Sequence, residues 1–534
     1  MMLAQSTLSA TAPAYGLFQA DEFRVTSGEC EDSAAIAQAL WFFRHETIAL
    51  PRHGTSDEFD SRLEALEDLR QWIARTLPGS ARDYPALIWI GAPEVVEHAH
   101  LDSVGEHLLT ANGRIQLDLW PRLESNRSFY NADSRAFFSQ RELRLRGRME
   151  DGRFVARSIW PKDFRLDPAA PLTPIAATPA ALREFVRHET QGGAQSVFAT
   201  QLVWQRTPEA AQRRAGRPLI GLMLNGAQGD DDEAHGGHFG LITGRVGAQG
   251  QMHDWLMANY YTLDSESEKG IIASMLPMEG YLADLNSGQS WYRPSYMLVA
   301  TLRDERTAVH LSSALARMFK HFYRHQFTYQ HATANCAGIS ISTLRALGWN
   351  IPKTGPISWL KAIIGLPFVA LKSASLRKGK AMFDYYTEEQ TRLLPAIAFE
   401  QAGADLMRLV NGQLVRALTP YEKLLQEDVE EILLLRIPQL PSNRAWGDYP
   451  VTGVDEFRQR VPKDPAQQQI IPVAPRPFPE YLKDPLSPKE KRLRSDYAIA
   501  GYSAGLLLLG GWLLHRLRPK RQSQKENSGK TRSQ

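Results

Sequence analysis

An uncharged stretch of 18 residues, 497–514, constrains the fold of this 534-residue chain more than any other feature. As a helix it would reach about 27 Å, close to the thickness of the hydrocarbon core of a bilayer. Tyr497, Tyr502 and Trp512 are residue types that prefer the membrane interface. The stretch therefore predicts one transmembrane helix at 496–515. A buried core helix is the alternative, and the strongly charged flanks do not favour it.

The charges around this predicted helix orient it only weakly, because basic residues lie on both sides of it: Lys489, Lys491, Arg492 and Arg494 before it, and Arg516, Arg518, Lys520 and Arg521 after it. The N-terminal sequence lacks the basic and apolar regions of a secretory signal. We therefore expect a membrane protein whose bulk stays on the cytoplasmic side, while the charges leave the orientation of the helix open.

Two further features bear on partners. Gly501 and Gly505 form one GxxxG motif, which would let two copies of the helix approach closely in a homodimer. A net charge of +3 on a chain of this length gives no electrostatic footprint for nucleic acid. The expected partners are therefore the lipid bilayer and a second copy of the chain.

Composition and hydrophobic periodicity predict an α+β chain with several parts. Helices are predicted at 32–48, 56–77 and 307–325, a short buried strand at 86–91, and a hairpin that turns at Glu150-Asp151-Gly152. The predicted parts are an α+β N-terminal domain (1–170), a Pro-rich linker (171–194), a catalytic domain (195–375), a helical region (376–440), a Pro-rich spacer (441–495), the transmembrane helix (496–515) and a basic disordered tail (516–534).

The segment TANCAGISISTLRALGW, residues 333–349, is the most informative for chemistry. Asn335 suits the N-cap of a helix, and Gly348 suits its C-terminal stop. Cys336 would then lie in the first turn, where backbone N–H groups and the helix dipole stabilise a thiolate. Such a cysteine is a candidate nucleophile, whereas a buried structural cysteine is the alternative. Cys336 and Cys30 are the two cysteines of the sequence, too few for a disulfide framework.

A nucleophilic cysteine needs a base, and the segment EAHGGHFGLITG offers two histidines. His238 opens the predicted strand HFGLITG, and His235 lies in the loop before it. The acidic run 230–233 next to these histidines suggests a divalent metal site as another interpretation. Its spacing matches no standard set of catalytic ligands, so we expect neither a metal nor a cofactor.

A histidine that opens a strand, followed later by Asn-Cys at the start of a helix, resembles the circularly permuted branch of the papain-like superfamily. That branch includes lecithin:retinol acyltransferase-like and NlpC-type enzymes. GHFGLITG, ANYYTL, YRPSYMLVATL and YQHATANCAGISISTLRALGW, within about 195–355, also resemble a bacterial domain family of uncharacterised function. Some members of that family are membrane-associated lipoprotein N-acyltransferases that use a Cys–His pair.

The resemblance implies a role for each candidate residue. Cys336 would be the nucleophile, His238 the general base, and Asn259 the polar residue that orients the histidine. His253 and Asp254 remain open as alternatives for the third role. The backbone N–H of Cys336 and a neighbouring donor would bind the oxyanion.

A second apolar segment, 362–371, is too short to span a bilayer and has basic residues around it. It fits either an interfacial helix on anionic lipid or a core helix with a basic exit. We therefore expect a membrane-anchored, thiol-dependent hydrolase or acyltransferase. It would act on an amide or ester of a lipoprotein, lipid or peptide through a Cys336 acyl-enzyme. The alternative is a non-catalytic membrane-anchored scaffold or binding protein that retains the fold.

Overall fold

A computed structural model describes residues 13–31, 35–55, 63–80, 82–121, 130–187, 197–226, 237–263, 270–441, 459, 464 and 479–482. Within these residues the strands are β1 (Ala14–Tyr15), β2 (Phe18–Gln19), β3 (Phe23–Ser27), β4 (Thr47–Pro51), β5 (Ile88–Gly91), β6 (Glu94–Leu101), β7 (His107–Thr110), β8 (Gly113–Leu119), β9 (Leu143–Glu150), β10 (Arg153–Pro161), β11 (Ala199–Gln205), β12 (Pro218–Asn225), β13 (His238–Arg245), β14 (Leu256–Asn259), β15 (Ser274–Pro277), β16 (Ser295–Leu302) and β17 (Val429–Ile437). The helices are α1 (Ala37–Phe42), α2 (Ala65–Arg75), α3 (Ala132–Ser139), α4 (Pro179–Arg187), α5 (Met278–Ala283), α6 (Arg306–Tyr323), α7 (Cys336–Ala346), α8 (Trp359–Lys372), α9 (Leu376–Thr387), α10 (Gln390–Leu393), α11 (Pro395–Val410) and α12 (Pro420–Asp428).

Ten of these strands form one sheet, in the order β11-β17-β16-β12-β13-β14-β15-β5-β4-β3. All neighbours are antiparallel except β15 and β5, which run parallel. The central strands β12 and β16 are buried along their whole length. A strand buried on both faces reads as a nearly continuous apolar run, and PLIGLMLN and SYMLVATL have that character.

Three helices cover one face of the sheet centre. Leu222 of β12 is paired with Leu241 of β13 and Leu298 of β16, so the three side chains form a row on one face. Leu311 of α6, Leu344 of α7 and Leu406 of α11 meet this row. The helix that begins at Cys336 is therefore fixed on the sheet by core packing.

Five strands close into a barrel, in the order β10-β8-β7-β6-β9. The predicted hairpin is confirmed in β9 and β10. Its two turn residues, Asp151 and Gly152, have φ of 47° and 78°, as a tight two-residue hairpin turn requires. Arg146 Nε of β9 donates to Glu279 Oε1 of α5 at 2.5 Å, which ties the barrel to the large sheet.

The predicted N-terminal α+β domain and the predicted catalytic domain share one sheet in the structure. Strands β3, β4 and β5, from the predicted N-terminal domain, extend the same sheet that holds β12 and β13. The predicted helical region ends in a strand, β17, that lies between β11 and β16. The predicted linker contains α4, whose Leu182 is buried. Pairing between strands far apart in sequence produces this single sheet.

The fold class that included a transmembrane helix also needs correction. In the described part of the chain, no helix is both long and apolar enough to cross a membrane. The longest helix there, α6, has buried side chains from Thr307 to Tyr323 and packs against the sheet. The segment 496–515, to which the prediction refers, lies outside the described residues, as do Gly501 and Gly505.

Candidate active site

Cys336 is the first residue of α7, as the sequence predicts. Asn335 is the N-cap, and its Oδ1 accepts a hydrogen bond from Gly338 N at 2.8 Å. The Nδ2 of Asn335 donates to Leu393 O of α10, also at 2.8 Å. The start of the helix is thus held from both sides, and the position of the thiol is fixed.

The Cys336 thiol is buried and protonated at neutral pH. Its exposed fraction is 3%. Burial raises the pKa of the thiol, because a thiolate loses its hydration there. The N–H groups of Phe239 and Ala337, the Tyr329 hydroxyl and the charge of Arg293 lower that pKa, but they do not offset burial. The position of Cys336 at the helix N-terminus predicted a lowered pKa for the thiol. Desolvation of the buried thiol instead raises this pKa overall.

His238 is the first residue of β13 and precedes Phe239, whose N–H faces the Cys336 thiol. The imidazole is also buried, and burial with the Arg293 charge lowers its pKa to about 3. The ring is therefore neutral near pH 7. Its Nε2 has no hydrogen-bond partner among the described residues. The ring and the Cys336 thiol lie at the same end of β13, but they are not hydrogen-bonded to each other in the described part of the chain. Such bonds often tighten only when substrate is bound.

Asn259 lies beside His238. Continuing the register of β13 and β14 by one pair sets Asn259 opposite Gly240, on the face that His238 shares. The Asn259 side chain raises the pKa of His238, which shows that it is close to the ring. Asn259 Nδ2 donates to Ile272 O at 2.5 Å, while Oδ1 has no partner among the described residues.

His253 and Asp254, the alternatives for the third role, lie at the opposite end of β13. They precede β14 in the turn that follows Arg245, and β13 itself is about 23 Å long at 3.3 Å per residue. His253 O accepts a hydrogen bond from Glu279 N near the barrel. The geometry therefore favours Asn259.

Arg293 belongs to this cluster, although no sequence pattern predicted it. Its guanidinium is 3% exposed and donates through Nε and Nη2 to Gln289 Oε1, at 2.8 and 2.5 Å. Its Nη1 has no hydrogen-bond partner among the described residues. The Arg293 charge lowers the pKa of both Cys336 and His238. It therefore favours a thiolate and opposes an imidazolium.

Tyr329 is the second residue that sequence reasoning missed. Its hydroxyl lies within hydrogen-bonding range of both the thiol and the backbone N–H of Cys336. Burial and the neighbouring thiol raise the pKa of this tyrosine well above its usual value, so the hydroxyl remains a donor. Its position seven residues before Cys336 was the available signal.

A buried polar row lies beside the histidine. Asn225 of β12 is paired with His238 on one side and with Ser295 on the other. Asn225 Nδ2 donates to Ser295 Oγ at 2.7 Å, and the Tyr281 hydroxyl donates to Asn225 Oδ1. The Tyr281 ring lies 6.3 Å from the His238 ring, centroid to centroid. These bonds stiffen the strand ends that carry the histidine.

The acidic run 230–233 and His235, which suggested a metal, lie outside the described residues. In the described part of the chain, no group of three or more histidine, cysteine or acidic side chains is placed to hold a metal ion.

No protein-family model, no curated protein and no solved structure matches this chain.

We expect the buried histidine to make the protein sensitive to acid. The pKa of His238 is about 3 when folded and about 6.5 when unfolded, so below pH 6.5 the unfolded chain takes up a proton that the folded chain refuses. Between pH 7 and pH 5 the loss is about 2 kcal/mol of unfolding free energy. Denaturant titrations at both pH values measure this loss of unfolding free energy. The loss should be smaller in His238→Gln than in the wild type, by about 2 kcal/mol. An unchanged loss would contradict the pKa, and His53→Gln, at an exposed position, is the control.

Proposed function

We propose that this chain is a thiol-dependent acyl-transfer enzyme that acts on an amide or ester through a Cys336 acyl-enzyme. The observation that carries the proposal is the meeting of three groups in one buried cluster. They are a thiol at a helix start, an imidazole with an unpartnered nitrogen, and a guanidinium with an unpartnered N–H. A cysteine and histidine that serve only packing would not need a buried cation beside them.

The first step follows from the resting protonation states. Because thiol and imidazole are both neutral, His238 takes the proton of Cys336 as Sγ attacks the carbonyl carbon. A carbon–sulfur bond forms, and the carbonyl electrons move to oxygen. His238 then gives the proton to the departing amine or alcohol, which leaves the acyl group on sulfur as a thioester.

The negative charge on the carbonyl oxygen needs donors aimed at it. The N–H of Cys336 is one, since the first N–H groups of a helix have no partner within the helix. The Tyr329 hydroxyl, close to that N–H, is the second. Arg293 supplies a positive charge nearby. Donors fixed in a buried site stabilise such an oxyanion more than water does.

The second half of the reaction decides between hydrolase and transferase. Attack of water on the thioester releases a carboxylic acid, whereas attack of an amine or alcohol transfers the acyl group. His238 acts as base for either nucleophile. The resemblance to lipoprotein N-acyltransferases favours an acylated lipid or lipoprotein as donor.

The test is to trap the acyl group on the enzyme. The purified protein is treated with a p-nitrophenyl ester of a fatty acid, and intact and peptide masses are measured. We expect one added acyl group on Cys336, removed by neutral hydroxylamine, as a thioester is. The Cys336→Ala variant should show none, and Cys30→Ala should behave like the wild type.

The same measurement decides the alternative. A non-catalytic scaffold would release no p-nitrophenol above the buffer rate and would form no hydroxylamine-sensitive adduct. Acylation of Cys30 rather than Cys336 would equally count against the proposal.

A further inference from the structure

The helices α8 and α9 form a hairpin that packs through small residues. A Cβ at Gly379 of α9 would lie 2.6 Å from Leu366 O and 2.9 Å from the Ala370 Cβ of α8. Ala362 and Ala370 are the buried residues of α8. Contact between helices through glycine and alanine brings their backbones close together, as in membrane helix pairs.

The large apolar side chains of the hairpin lie on its outside. Six side chains of α8 are at least 55% exposed: Trp359, Leu360, Ile363, Ile364, Phe368 and Leu371. With Leu376 they make up seven of the sixteen exposed large apolar side chains in the described residues. An amphipathic helix on a water-exposed surface normally turns such residues inward. Of the two alternatives for 362–371, these exposed side chains do not fit the core helix.

Positive charge surrounds this apolar face. Residues 359–383 contain five basic residues and no acidic one: Lys361, Lys372, Arg377, Lys378 and Lys380. At about 100° per residue, Lys361 and Lys372 lie at one border of the apolar face of α8. The first acidic residue, Asp384, is paired with Lys380.

We propose that the α8–α9 hairpin docks on a bilayer containing anionic phospholipid, with the apolar face of α8 among the acyl chains and the basic residues on the headgroups. The 14 residues of α8 reach about 21 Å, too short to span, so the helix lies in the plane of the surface. Charge selects this occupant over a second copy of the chain, because two such faces would bring like charges together.

The hairpin is connected to the helix of Cys336 through α10. Immediately after α9, Arg392 of α10 donates to Thr333 O at 3.0 Å and to Ser342 Oγ at 3.2 Å. Docking would therefore bring the Cys336 cluster toward the lipid. The inference stands without the proposed chemistry, and Cys336→Ala should dock as the wild type does.

The test is hydrogen–deuterium exchange of the full chain with vesicles of equal parts phosphatidylglycerol and phosphatidylcholine. Peptides covering 359–387 report on the hairpin alone, whatever other segments do. Docking protects the hairpin from exchange, so the additional slowing depends on the fraction of molecules that stay undocked. When the accessible lipid concentration is ten times the dissociation constant, exchange in these peptides should slow about tenfold. Phosphatidylcholine vesicles should give little protection.

Two pairs of substitutions separate the apolar and charged contributions. Ile364→Asp with Phe368→Asp should remove the protection, and Lys372→Glu with Arg377→Glu should reduce it. Both pairs change exposed side chains, so circular dichroism and the melting temperature should stay the same. The matched control is Val415→Asp, which changes an exposed apolar residue outside the hairpin.

Three outcomes would overturn the inference. The first is unchanged exchange at 359–387 with anionic vesicles. The second is equal protection by neutral vesicles, which would remove the anionic selectivity. The third is protection without vesicles that grows with protein concentration, which would assign the face to a second copy.

Discussion

Replacing Cys336 by alanine is expected to abolish acyl transfer. In the proposed mechanism this substitution removes the attacking sulfur, and His238→Ala removes the base that takes its proton. Members of a catalytic pair act as a unit, so each change should lower kcat on the order of a million-fold, and the double variant should be no worse than either one. Turnover is measured as ester cleavage by the two single variants and the double.

Smaller losses are expected at the supporting residues. Tyr329→Phe removes one oxyanion donor and should lower kcat by roughly 10²–10³. Asn259→Ala should cost less than His238→Ala, because it changes only the orientation of the ring. Melting temperatures near that of the wild type must accompany these losses. Wild-type turnover in folded Cys336→Ala would contradict the thiol mechanism. Additive losses of turnover in the double variant would show that His238 and Cys336 do not act as a unit.

Asp68→Ala is expected to destabilise the whole fold. Asp68 of α2 accepts two hydrogen bonds from Arg317 of α6, at 2.8 and 3.0 Å, and one from His321 Nε2 at 2.9 Å. All three side chains are buried. Burial opposes the ionisation of Asp68, but its bonds to His321 and Arg317 lower its pKa overall. Removing the carboxylate leaves Arg317 buried without its bidentate partner. The free energy of unfolding should fall by about 3–5 kcal/mol as a result.

The measurement is denaturant unfolding at pH 7. The matched control is Asp118→Ala, which removes the partner of Arg153 from an ion pair at 3.2 Å with both side chains exposed. An exposed pair contributes about 0–1 kcal/mol, so this variant should unfold nearly as the wild type does. Equal losses in the two variants would show that burial of the Asp68 pair adds nothing.

Local patterns in the sequence predicted local structure well. The helix of Cys336 with its Asn335 cap, α6 close to its predicted limits, and the β9–β10 hairpin are all present. Each of these depends on neighbours within a few residues, such as a cap or a turn. The strand opened by His238 is also present.

Pairing between strands far apart in the chain could not be predicted from the sequence. Nothing in the residues of β3 to β5 or of β17 indicates which strands they join, so a single sheet across these segments could not be predicted. Arg293 entered the site only because packing buries it beside the thiol. Desolvation, which reversed the expected pKa of Cys336, depends equally on packing that no short motif encodes.

The place of β17 in the sheet constrains how the protein can be made. Synthesis proceeds from the N-terminus, yet β17, the last strand of the described sheet, lies between β11 and β16. Until residues 429–437 leave the ribosome, β16 exposes an unpaired edge and β11 has no neighbour in the sheet. The nascent chain must therefore hold more than two hundred residues, from Ala199 to Val429, in an incomplete state. A premature stop codon before Val429 should yield an aggregating chain rather than a shorter folded protein.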